Sequence, residues 1–125
     1  MSESPYAFFD VHVAVAAPET IADRLRTALG GIEAPVTGRH DLIVGPLWIT
    51  ATPNDHRTWA RTDLADFLRW PTVLEGETRP GATPAEVVEA VAALLRTLWD
   101  MGYRAVASCG FEDELPDAGG IARYR

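Results

Sequence analysis

Apolar and polar positions repeat with two different periods along this chain of 125 residues, and the longer period is the clearer one. Val87, Val88, Val91, Leu94, Leu95, Leu98 and Trp99 recur at spacings of three and four, which gives a helix one apolar face. Thr83-Pro84-Ala85-Glu86 is its start: a capping side chain, proline at the first helical position, and a glutamate to complete a capping box. Gly102 suits the left-handed residue that closes a helix. Arg104–Cys109, short and apolar, reads as a strand running into the acidic loop Phe111-Glu112-Asp113-Glu114-Leu115-Pro116.

The shorter period marks the other strands. In Phe8–Ala16, Phe9, Val11, Val13 and Val15 point one way and Phe8, Asp10, His12 and Ala14 the other. Pro18-Glu19-Thr20 opens a helix through about Leu29, and Gly30-Gly31 ends it. Leu42–Thr52 predicts a second strand kinked at Gly45-Pro46, and Pro71–Thr78 a third, with Glu75 and Glu77 on the face opposite Thr72, Leu74 and Gly76. Residues 31–40 read as a loop. Residues 53–70 form a long connection that includes a short helix over Asp63–Leu68.

The order strand, helix, strand, strand, helix, strand predicts an α+β domain of the ferredoxin-like split βαβ type (βαββαβ). It would have a four-stranded antiparallel sheet with two helices on one face. The whole chain, 1–125, reads as a single domain, with residues 1–5 and 120–125 expected to be flexible.

Composition narrows the classes of function. No apolar run approaches the ~20 residues needed to span a bilayer, and no basic region precedes an apolar segment as in a signal peptide. One cysteine, Cys109, rules out an internal disulfide and fits a cytoplasmic location. Net charge is −7, and all 11 basic side chains are arginine. Such a chain lacks the basic patch that nucleic acid or an anionic membrane requires, so neither is an expected partner; a basic protein remains one.

Three places carry candidate chemistry. The sheet face away from the helices would expose Asp10 and His12, Glu75 and Glu77, and Trp48, a set suited to a ligand or acid–base site. The same face reads equally as a solvated surface or a homodimer interface. The loop Asp55–Arg61 combines Trp59 and Arg61, common hot-spot residues. Glu112, Asp113 and Glu114 read as an acidic lip that steers a basic partner, with Arg104, Arg123 or Arg125 to offset their repulsion, or as a solvated turn. No HExxH, CxxC, GxGxxG, P-loop or G-x-S-x-G pattern is present, so no catalytic residue, metal or cofactor is assigned.

Phe67-Leu68-Arg69-Trp70-Pro71, Leu74-Glu75, the long helix, and Val106–Pro116 together resemble a group of small actinobacterial proteins of unassigned function. The likeness covers the C-terminal half and brings no catalytic motif. In size, acidity and expected fold the chain is also similar to immunity proteins that neutralise bacterial toxins. The resulting expectation is a non-enzymatic protein-binding module, an acidic immunity or inhibitor type, using Glu112, Asp113, Glu114, Trp59 and Arg61. The alternative is a small enzyme or ligand-binding protein working on the open face around His12, Asp10 and Glu75.

Overall fold

The opening alternation becomes the strand β1 (Phe8–Val13) in the computed structural model, which describes residues 6–15, 17–30, 42–53 and 70–123. Next come the helix α1 (Pro18–Leu29), the strands β2 (Leu42–Val44), β3 (Leu47–Pro53) and β4 (Thr72–Thr78), the helix α2 (Pro84–Asp100) and the strand β5 (Ala105–Cys109). A 3-10 turn, Glu112–Glu114, and a 3-10 segment over Pro116–Arg123, kinked by left-handed residues at 117–120, complete the described chain. The expected helix over 63–68, the contact loop with Trp59 and Arg61, and the loop at 31–40 lie outside the described residues.

All strands join one antiparallel sheet in the order β2-β3-β4-β1-β5. Among the described residues the sheet therefore has five strands where four were expected. The correction comes from Gly45-Pro46, read as a kink but forming a two-residue reversal. Gly45 takes φ 54°, a left-handed corner that glycine allows, and Val44 then pairs with Leu47 across it. The chain doubles back and adds the short edge strand β2.

Both helices cover the same face of the sheet. Phe9, Val11 and Val13 from β1 join Ile21, Ala22 and Leu25 from α1 and Val87, Val91, Leu94, Leu95 and Leu98 from α2 in one buried core. Burial of this kind stabilises by about 1.5–3 kcal/mol per large aliphatic side chain. Gly76 belongs to the same face because Phe9 lies directly over it; a Cβ there would meet the ring at 2.0 Å.

The ends of α2 follow the sequence closely. Glu86 donates its backbone N–H to the Thr83 hydroxyl at 3.2 Å, and the Glu86 carboxylate accepts the Thr83 N–H at 3.4 Å. At the other end Gly102, at φ 90°, lets Tyr103 N–H reach Leu98 O at 3.0 Å and Gly102 N–H reach Trp99 O at 2.9 Å, a Schellman closure. No helix among the described residues is long and apolar enough to cross a membrane.

Candidate functional site

Strand register fixes which side chains share the face away from the helices. Residues paired across neighbouring strands project to one side, so three parallel rows form. The first holds Trp48, Glu77 and Phe8, the second Thr50, Glu75, Asp10 and Ser108, and the third Thr52, Val73, His12 and Val106. Asp10, His12, Trp48, Glu75 and Glu77 thus share the face on which the alternation put them.

The rows differ sharply in exposure. Phe8 is 52% exposed, a large apolar side chain standing in solvent. Asp10 and Glu75 are exposed, and Trp48, Glu77, Thr50 and Ser108 are half-buried. In the third row His12, Val73 and Val106 are buried, and Trp70, just ahead of β4, is fully buried although it is not part of the helix-side core. His12 is therefore not presented to solvent beside the carboxylates. It sits about 7 Å along the strand from Asp10, flanked by valines rather than acids.

Electrostatics follow burial. Withdrawal from water pushes the His12 imidazole down to about 4, so the ring is neutral at pH 7. Partial burial raises the Asp10 carboxyl, and the facing Glu75 carboxylate raises it further. Among the described residues no three His, Cys, Asp or Glu side chains come together as a metal would require. Cys109, on the helix side of the sheet, is pushed up to about 11 chiefly by burial, and so is a protonated thiol rather than a nucleophile.

The acidic turn is engaged from within. Glu112 accepts the Cys109 backbone N–H at 3.0 Å. Glu114 accepts the Tyr6 hydroxyl at 2.6 Å, and the Tyr6 ring stacks on Phe111 with centroids 5.2 Å apart. That bond is the first cause of the raised Tyr6 hydroxyl, since ionising it would place two anions side by side. Arg123, expected to offset the lip, pairs with Asp117 at 3.4 Å instead. Asp113 is exposed. Two of the three carboxylates of the lip therefore hold the chain's own backbone and side chains in place. Trp59 and Arg61 lie outside the described residues.

Two hollows formed by described residues lie away from the rows. One borders α1 and is lined by Asp23, Arg24, Thr27, Ala28 and Met101; the other lies between α2 and Glu114–Pro116, beside Val88 and Arg96. Phe8 is an exposed aromatic residue that the candidate set omitted, although its alternation with Phe9 already placed it on the outer face. No family model matches the chain, and no curated protein or solved structure is significantly similar to it.

Proposed function

We propose that this chain is a non-enzymatic binding module that takes a basic protein partner on the two exposed rows of the outer sheet face, in the manner of a cytoplasmic immunity or inhibitor protein. One observation carries the reading. Glu77 lies between Trp48 on one neighbouring strand and Phe8 on the other, with the Glu75–Asp10 pair in the adjacent row. A guanidinium set on this surface gains a carboxylate and the face of an aromatic ring together. Facing copies of the same rows would set carboxylates against carboxylates, which disfavours a homodimer through them.

Strand order supports a finer description of the fold. With β2 set aside as an edge strand added through the Gly45-Pro46 reversal, the order β3-β4-β1-β5 is that of a ferredoxin-like split βαβ. Catalytic or ligand-binding use of His12 with Asp10 and Glu75 draws less support, because burial takes the imidazole out of their row.

Affinity capture from host lysate, with wild type and with Glu77→Arg as bait, tests the proposal. A basic protein held by the wild type at low salt, released at high salt and lost with the variant is the expected result. Capture of the same proteins by both baits would overturn it.

A further inference from the structure

The helix side of the molecule carries a second arrangement of charge, away from the acidic rows. Val88, Glu89, Ala92 and Arg96 recur at spacings of three and four, so they form one stripe along α2. Glu114, Leu115 and Pro116 run beside this stripe and make the other wall of a hollow of about 610 Å³. That volume is in the range of clefts that take small ligands.

The second wall is fixed by the chain itself. Leu115 is buried in the core, its N–H donates to Glu112 O at 3.0 Å, and Glu114 N–H donates to Phe111 O at 3.0 Å. The Tyr6 hydroxyl holds the Glu114 carboxylate at 2.6 Å. The hollow is therefore formed before anything enters it, which spares a ligand the cost of ordering a loop. Ala92 and Leu115, both buried, supply an apolar floor, and Val88 and Pro116 are half-buried beside it.

Charge is unequal along this groove. Glu89 stands on the helix and Glu114 on the facing wall, both acidic. Arg96 is two turns beyond Glu89, a rise of about 10 Å, which is too far for the two to pair with each other. Both are exposed, and among the described residues neither enters an ion pair.

We infer that the groove takes a short peptide segment in the polyproline II conformation, with a basic residue on Glu89 and Glu114 and an acidic residue, three positions away, on Arg96. This conformation has three residues per turn and a rise of about 3.1 Å, so positions three apart share a face about 9 Å apart. That spacing matches the separation of Glu89 from Arg96. In a β-strand, positions three apart fall on opposite faces. An apolar residue between the two charges rests on Ala92 and Leu115. The groove lies on the helix side, so its use does not depend on the outer face.

NMR titration of the isotopically labelled full-length chain tests the inference, with the end-blocked peptides Arg-Pro-Val-Asp and Asp-Pro-Val-Arg covering both directions along the groove. At least one should move the amide signals of Val88, Ala92, Arg96 and Leu115 to saturation. Arg96→Glu, at an exposed position, should weaken that peptide about two- to five-fold, and exchanging the peptide's Asp for Arg should restore its affinity for the variant. Removing the valine from the peptide should also weaken binding, because the charges then leave their common face. No saturable shift with either peptide would overturn the inference. So would shifts confined to other surfaces, no recovery on charge exchange, or equal affinity for the shortened peptide. Capture with the Glu77→Arg bait reads the outer face separately, so failure of one reading is distinguishable from failure of the other.

Discussion

The buried row Val73–His12–Val106 and the exposed row Glu75–Asp10–Ser108 lie side by side on the same three strands and the same face, one repeat apart. Their environments are nevertheless opposite. The first is dry enough to keep an imidazole neutral well below its ordinary range, and the second exposes two carboxylates, of which Asp10 is only partly withdrawn from water. Strand alternation assigns a side chain to a face. Cover along that face is a separate property, and it decides whether an ionisable group can do chemistry or only pack.

Charge insertion is the strongest way to break this contrast. Val106→Asp should cost about 3–5 kcal/mol, because it buries a carboxylate without a partner, while Ser108→Asp in the next row should stay under about 1 kcal/mol. Chemical denaturation of the two variants checks the difference; equal costs would mean that the rows share one environment.

Acidity acts on the dry row next. His12 binds a proton at about 4 when folded and near its ordinary 6.5 when unfolded. Below 6.5 the unfolded chain takes up the proton first, so this contribution to stability is whole above pH 6.5 and is lost as pH falls toward 4. The loss approaches about 3 kcal/mol, and His12→Gln should flatten that part of the stability curve.

On the helix side, Gly76→Ala should cost about 1–3 kcal/mol, since the new methyl meets the Phe9 ring at 2.0 Å and the ring must move within a packed core. Thermal unfolding reports this directly. The smallest effect belongs to the exposed row and has the opposite sign. Asp10 holds its proton more tightly folded than unfolded, so raising the pH through the range just above 3.8 costs stability. Asp10→Asn should remove that decline and stabilise by less than about 1 kcal/mol at pH 7.

Much of this architecture was legible in the chain. Thr83, Pro84, Glu86 and Gly102 bounded α2 because caps act over three or four residues, and Phe9, Val11 and Val13 marked the core face because alternation is local too. Gly45-Pro46 was harder: a glycine-proline pair suits a kink or a reversal, and the pairing of Val44 with Leu47 is what distinguishes them. The helix-independent burial of His12 and Trp70 left no periodic signal. Nor did the use of Glu114, whose partner Tyr6 is 108 residues away in sequence. Gly119-Gly120 matched no nucleotide motif, and its purpose emerged only from the carbonyls of β5 that lie against it.

The contrast between the two rows rests most directly on the protonation of a single imidazole. Titration of His12 by NMR, following its ring nitrogens in the folded protein, measures it without any substitution. A midpoint near pH 4 is the predicted result. A midpoint near 6.5, the value of an imidazole in water, would contradict it and return His12 to the exposed carboxylates as a possible partner in chemistry.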